Sequence, residues 1–254
     1  MRERNDLWQH VCIAACAVAA VANSVLRLGT MYPVTDIPQP SLTLVTGRAL
    51  YRTRTDKKAD PLSVVEAAVA GGVNIVQLRV RNPSADDLGL YAVALRLREM
   101  TAGQARFIVT GDLELAEKCG ADGVLLTERS YKPSDAREFL RPSGEATVGS
   151  FIRTVTGAAQ AERGGADYVQ VGPTFDAALP GEGLALLRKV KDAVQIPVVA
   201  FGGIQTPADV ADCLRAGADG VAVTDAVTQA LDPQAAAAEL RAAIEAAWRV
   251  IHGV

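Results

Sequence analysis

From Ser41 onward the chain alternates short runs of apolar, β-branched residues with longer stretches whose apolar positions recur at helical spacing. Eight runs have strand character: SLTLVT (41–46), VNIVQLRV (73–80), RFIVT (106–110), GVLLT (123–127), TVGSF (147–151), DYVQVG (167–172), IPVVAFGG (196–203) and GVAVT (220–224). Most are nearly continuous in hydrophobicity, which predicts strands covered on both faces, as in a parallel sheet. Between them lie helical stretches such as PLSVVEAAVAG, ADDLGLYAVALRLREM, DLELAEKCG, TGAAQAERGG, LALLRKVKDAV and TPADVADCLRAG, and a last helix is expected from Pro233 to Val250. Several close on a glycine suited to a helix C-terminus. Eight such βα units predict an α/β fold, a single (β/α)8 TIM barrel over residues 41–254 with residues 1–40 as an N-terminal extension. The recurrent AGGVN, CGADG, GGADY and AGADG segments then mark helix-to-strand turns on the stabilising face of the barrel.

The second strand breaks the pattern in an informative way. It continues into VQLRVRNP, and side chains two apart share a strand face, so Gln77, Arg79 and Arg81 point the same way. Sites in such barrels gather at the C-terminal strand ends, where guanidinium groups suit a phosphate or carboxylate. The other strand ends offer Gly172 in VGPTF, Gly202 and Gly203 in FGGI, and Thr224 followed by Asp225. Glycines after strand seven beside a polar end of strand eight fit phosphate binding through backbone N–H groups, although the same glycines also serve a tight turn. The loop after strand one, GRALYRTRTDKK, carries Arg48, Arg52, Arg54, Lys57 and Lys58 against Asp56, a charge set that either steers an anion or is merely solvated. Asp112, Glu114, Glu128 and Arg129 follow strands three and four as solvated helix starts; for Asp112 and Glu128 a metal or base role is the alternative.

Composition narrows the chemistry. The 254 residues are 49% hydrophobic, 22% charged and 5% aromatic, a profile of soluble α/β proteins, and the net charge of -3 gives no electrostatic reason to expect nucleic acid. The only histidines, His10 and His252, lie outside the barrel core, which removes imidazole acid–base chemistry from the site. Lys118, Lys189 and Lys191 fall in expected helices, so no lysine at a strand end is placed for a Schiff base. Cysteines 12, 16, 119 and 213 form neither a zinc pattern nor a disulfide framework, which points to the cytoplasm. The apolar run Val11 to Ala22 is too short to span a membrane and loosely matches a signal peptide, against which Glu3 and Asp6 count. A loose helical extension, or a true start at Met31, are the other readings of this segment. No membrane contact is expected beyond it, and the pattern leaves the oligomeric state open.

The segments LTLVT, EAAVAGGVNIVQLRVRN, GADGVLL, GGADYVQVGPTF, IPVVAFGGI and AGADGVAV resemble, in order and spacing, the thiamine-phosphate synthase and thiazole tautomerase family from about Leu42 to Pro233. The most specific element is Gln77-Leu78-Arg79-Val80-Arg81, close to the family's Gln-Leu-Arg-x-Lys. The resemblance implies that this motif grips the pyrimidine and pyrophosphate of an aminopyrimidine substrate, that Mg2+ assists departure of the pyrophosphate, and that a thiazole phosphate attacks the pyrimidine cation. A small pyrimidine or phosphate compound is therefore the expected ligand, with Mg2+ as cofactor only if synthase activity is retained.

Several positions depart from that family. The Asn-Asp expected after strand three is Thr110-Gly111, and a His-x-Gly-Gln-x-Asp pattern after strand four is replaced by residues 125–130, with Leu125 at the histidine and Ser130 at the aspartate. After strand six, Ala177, Leu179 and Pro180 occupy the places of threonines and a lysine. The tautomerase histidine is Arg153, and a serine beside the thiazole phosphate is Asp225, whose carboxylate at about 4 Å would repel a phosphate by roughly 1–4 kcal/mol per charge pair. An Arg153–Asp225 ion pair, or Arg129 nearby, would offset that repulsion. Catalytic candidates are thus Arg153, Asp112, Glu128 and Asp225, and no metal site is expected. Two further readings stay open, a non-catalytic or regulatory barrel for a pyrimidine or anion, and a different reaction with Asp112, Glu128 or Asp225 as base.

Overall fold

The structure is a computed structural model and describes residues 37–46, 62–79, 88–128, 130–178 and 180–253. Eight parallel strands close into a barrel in chain order: β1 (Ser41–Thr46), β2 (Ile75–Arg79), β3 (Arg106–Thr110), β4 (Gly123–Leu126), β5 (Thr147–Ile152), β6 (Tyr168–Val171), β7 (Val198–Phe201) and β8 (Gly220–Val223). The barrel expected from the sequence pattern is the one observed. Strands two, six and seven are shorter than expected, because Asn74, Asp167 and Gly202–Gly203 belong to the turns that flank them.

The outer layer contains α1 (Ser63–Ala70), α2 (Leu88–Thr101), α3 (Leu113–Lys118), α4 (Pro133–Leu140), α5 (Val155–Arg163), α6 (Glu182–Ala193), α7 (Pro207–Arg215), the short α8 (Asp225–Thr228) and α9 (Pro233–His252). Asp112, Thr154, Thr206 and Asp232 cap α3, α5, α7 and α9 by accepting from an N–H three residues on, which satisfies one otherwise orphaned donor in each. Helix α9 buries Ala237, Leu240 and Ile244 against the barrel wall between α1 and α7. Two helices were not picked out by the sequence pattern. Helix α4 buries only Ala136 and Leu140, and α8 is a single turn, so neither displays an apolar stripe long enough to read. Among the described residues no helix is long and apolar enough to cross a membrane.

The repeated turn segments form a set of clasps at the N-terminal end of the barrel. Ahead of β2, β4, β6 and β8 stand Asn74, Asp122, Asp167 and Asp219, and each accepts a backbone N–H from the preceding strand: Leu42 at 2.8 Å, Phe107 at 2.8 Å, Val148 at 2.7 Å and Val198 at 2.8 Å. The three aspartates also bind a cation from α2, α4 and α6, the helices ahead of the odd strands they clasp: Arg98 at 2.9 Å, Arg137 at 2.8 Å and Lys191 at 2.7 Å. A donor at the start of each odd strand that lacks a ladder partner is thereby satisfied. Ile37, ahead of the expected barrel boundary, is buried in the cluster that fills the interior.

The strand register sorts the inward side chains into tiers of four drawn from alternate strands. Near the closed end are Ile75, Gly123, Tyr168 and Gly220, then Thr43, Ile108, Gly149 and Val199. A Cβ on Gly149 would overlap the Tyr168 ring, which occupies the space that glycine leaves. The next tier holds Gln77, Leu125, Gln170 and Ala222. Above it lie Val45, Thr110, Phe151 and Phe201, and at the mouth Arg79, Thr127, Gly172 and Thr224. The interior is therefore packed around an apolar middle, with Ser41, Arg106 and Thr147 buried at the closed end and polar groups again at the C-terminal end.

Candidate functional site

Every described strand-end residue singled out in the sequence stands at or just below this mouth. Gln77 is 3% exposed, and its Nε2 donates to the Thr110 hydroxyl at 2.9 Å. The Thr46 hydroxyl donates to the Gln77 carbonyl at 3.1 Å, so strands one, two and three are tied together beneath the site. Arg79, two tiers higher and half-buried, holds its guanidinium 5.9 Å from the centre of the Phe201 ring. Arg81, Arg129, Leu179 and the basic loop after β1 lie outside the described residues.

Opposite Arg79, the turns after β6 and β7 interlock. Thr174 N–H and its hydroxyl both donate to the Phe201 carbonyl, at 2.9 Å and 3.2 Å, and Phe175 N–H donates to the Gly202 carbonyl at 2.9 Å. Gly202 and Gly203 have φ of +96° and +77°, and a Cβ on Gly203 would overlap the Phe175 carbonyl. Close packing and a left-handed backbone both require glycine there. The Gly202, Gly203 and Thr224 N–H groups donate to no acceptor among the described residues. Thr224 is half-buried at the start of α8 and makes no side-chain cap. Gly172 packs so tightly on strand seven that a Cβ would overlap the Phe201 carbonyl.

The catalytic candidates separate into different environments. Asp112 is occupied as the cap of α3, its Oδ1 accepting from Leu115 N–H at 2.9 Å. Glu128 is exposed beyond β4. Asp225 is exposed at the start of α8 and forms no ion pair with Arg153 among the described residues, contrary to the pairing expected across the mouth. Arg153 instead lies 5.6 Å from the centre of the Phe151 ring. A partly desolvated aromatic face competes well for a guanidinium when the alternative carboxylate is exposed on a separate turn.

The resemblance implies Mg2+, and the donor set does not fit it. The two places expected to carry metal carboxylates are Gly111 and Ser130, and the Ser130 hydroxyl is spent in its own turn, accepting from Thr127 N–H and donating to Thr127 carbonyl, both at 2.8 Å. Among the described residues no group of three or more His, Cys, Asp or Glu side chains could hold a metal ion. Magnesium bound beside substrate phosphates generally takes one or two carboxylates, and the one inward position that has a carboxylate, Asp112, is a helix cap. Burial pushes the Cys119 and Cys213 thiols up to about 12 and raises the Tyr168 phenol, with the neighbouring Asp167 charge adding to the latter.

Three residues of the site were not singled out in the sequence. Phe151 and Phe201 meet edge to face, ring centres 6.1 Å apart with planes at 81°, and each has a guanidinium over its ring, Arg153 at 5.6 Å and Arg79 at 5.9 Å. Gln170, 2% exposed in the tier below, forms no side-chain hydrogen bond among the described residues. The signal was present in the period of two: Phe151 precedes Arg153 by two positions and Phe201 precedes Gly203 by two. The site thus combines aromatic faces, buried amides, guanidinium groups and a glycine turn with unpaired N–H groups, a set suited to a flat, anionic heteroaromatic compound.

The thiamine monophosphate synthase family profile matches residues 42–227. The thiamine-phosphate synthase of Methanoculleus marisnigri is 42% identical over 211 residues, covering 81% of this chain and 96% of that protein. That of Natronomonas pharaonis is 40% identical over 190 residues, covering 72% and 86%. Among solved structures, thiamine phosphate pyrophosphorylase from Pyrococcus furiosus superposes with a TM-score of 0.70 at 32% identity, over 82% of this chain and 96% of that one. A 3-hexulose-6-phosphate synthase, at 21% identity and a TM-score of 0.60, shares the barrel fold.

Proposed function

This chain belongs to the thiamine-phosphate synthase family of thiamine biosynthesis, and from that premise we propose that it couples an aminopyrimidine pyrophosphate to a thiazole phosphate at the C-terminal mouth of the barrel. The observation that carries this reading is the placement of Arg79 above the buried Gln77–Thr110 pair, facing the Gly202–Gly203 turn. One side of the mouth then addresses the pyrimidine and its pyrophosphate, and the other the phosphate of the thiazole. In the reaction the bond between the pyrimidine methylene and the pyrophosphate oxygen breaks, with the electron pair leaving on pyrophosphate. The thiazole ring nitrogen then donates its pair to the methylene carbon, which gives thiamine phosphate.

The chain's own part is to orient and to balance charge. Gln77 fixes the ring from below, Phe151 and Phe201 line the cavity where a delocalised cation would develop, and the unpaired N–H groups of the β7 turn suit a phosphate. A cytoplasmic location goes with this reading, because Cys119 and Cys213 are buried free thiols. The loss of both metal carboxylate positions favours a second reading, a barrel that binds the pyrimidine or an anion without turnover.

A turnover assay separates the two. The full chain is mixed with both phosphorylated substrates, and thiamine phosphate is sought by chromatography beside an active synthase control. Product that is lost in Arg79→Ala supports the synthase; folded protein that forms none overturns it.

A further inference from the structure

We propose that Arg153, held over Phe151, takes the place of the divalent cation at the pyrophosphate, so that this chain binds pyrophosphate without metal. The inference rests on the synthase reading and concerns how that same site balances charge. Five observations carry it.

Both places that the resemblance assigns to metal carboxylates lack one, Gly111 having no side chain and Ser130 being closed on its own turn. Arg153 follows the end of β5 directly, exposed at the rim and two residues beyond Phe151. The geometry of the aromatic pair fixes both arginines to one structure: Arg79 on Phe201 at 5.9 Å, Phe201 on Phe151 at 6.1 Å, Arg153 on Phe151 at 5.6 Å. A guanidinium that rests against a ring keeps its N–H edge available, and that planar edge matches phosphate oxygens two at a time.

The charge of Arg153 is also not spent elsewhere. Arg98, Arg137 and Lys191, at the opposite end of the barrel, each bind an aspartate, whereas Arg153 forms no ion pair among the described residues. Beneath it, Gln170 keeps a buried amide without a partner among the described residues, on the inward face and beside Phe151 in the strand register. The Gln170 amide therefore stays open to a ligand seated at the two rings.

The test is calorimetric titration of inorganic pyrophosphate into the full chain, once in EDTA and once with Mg2+. Binding in EDTA is expected within about threefold of that in Mg2+, and Arg153→Ala is expected to weaken it by about tenfold or more while Arg153→Lys retains part of it. Arg215→Ala, on the far surface of α7, is expected to leave it unchanged. Binding that appears only with Mg2+, or an Arg153→Ala variant equal to wild type, overturns the inference. The turnover assay distinguishes this failure from that of the underlying reading. Metal-free binding without product sustains the charge replacement and overturns the synthase; product that requires Mg2+, with no binding in EDTA, does the reverse.

Discussion

Gly203→Ala tests whether the turn after β7 is built around the absence of a side chain. Its φ of +77° places an alanine in the left-handed region, which costs roughly 1–2 kcal/mol. The new Cβ also overlaps the Phe175 carbonyl and approaches Phe175 Cβ at 2.7 Å, so the β6 turn must give way, at about 1–3 kcal/mol of overpacking. Gly165→Ala is the matched control, because Gly165 has φ of +87° and nothing within 4 Å of the added Cβ. The backbone cost and the stiffening of the unfolded chain are then common to both variants, leaving a difference of about 1–3 kcal/mol from the steric contact alone. For a chain of this size the difference appears as roughly 2–12 °C in Tm by thermal denaturation. Phosphate affinity, read by titration of inorganic phosphate, is expected to fall in Gly203→Ala and to hold in Gly165→Ala. Equal stability losses, within about 0.5 kcal/mol, would refute the steric argument.

Other consequences follow from the same geometry. Asp219→Ala removes the acceptor of Val198 N–H and the partner of Lys191 and is expected to cost about 2–4 kcal/mol in urea unfolding, whereas Asp212→Ala, which breaks an exposed pair with Arg215, costs under about 1 kcal/mol. Gln77→Leu keeps the buried volume but removes the amide, so stability is expected within about 1.5 kcal/mol of wild type while substrate KM or ligand Kd rises about tenfold; unchanged affinity would remove Gln77 from the site. The Cys119 and Cys213 thiols, raised to about 12 from 9.0, bind protons more tightly folded than unfolded. Their contribution to stability is present below pH 9 and is lost as pH rises toward 12, so unfolding midpoints should fall over that window and fall less in Cys119→Ala/Cys213→Ala.

The barrel was legible because its signals are local and repeated. Continuous apolar runs mark strands buried on both faces, and the recurrent segments before strands two, four, six and eight mark the helix-to-strand turns, although not the clasp bonds that Asn74, Asp122, Asp167 and Asp219 make there. The rule that residues two apart share a face placed Gln77 and Arg79 at the mouth from sequence alone. The same rule was not carried to strands five, six and seven, where Phe151, Phe201 and Gln170 look like core residues until the register sets them together. The expected Arg153–Asp225 pair failed for a related reason. Both residues follow strand ends, but Asp225 stands one place past the inward Thr224, begins the single turn of α8 and faces solvent, while Arg153 folds back onto the ring two positions before it. Contacts made across a barrel depend on helix starts after each strand, which a one-strand pattern does not carry.

The central claim is that the ligands of this barrel sit between the two arginine-covered phenylalanines and the glycine turn. A crystal structure of the full chain grown with thiamine phosphate and pyrophosphate tests it most directly. The account predicts the pyrimidine ring above Gln77 and Gln170, pyrophosphate oxygens on Arg79 and Arg153, and the thiamine phosphate group on the N–H groups of Gly202 and Gly203. Ligands bound elsewhere, with the guanidinium groups still stacked on their rings and no density in the mouth, would contradict it.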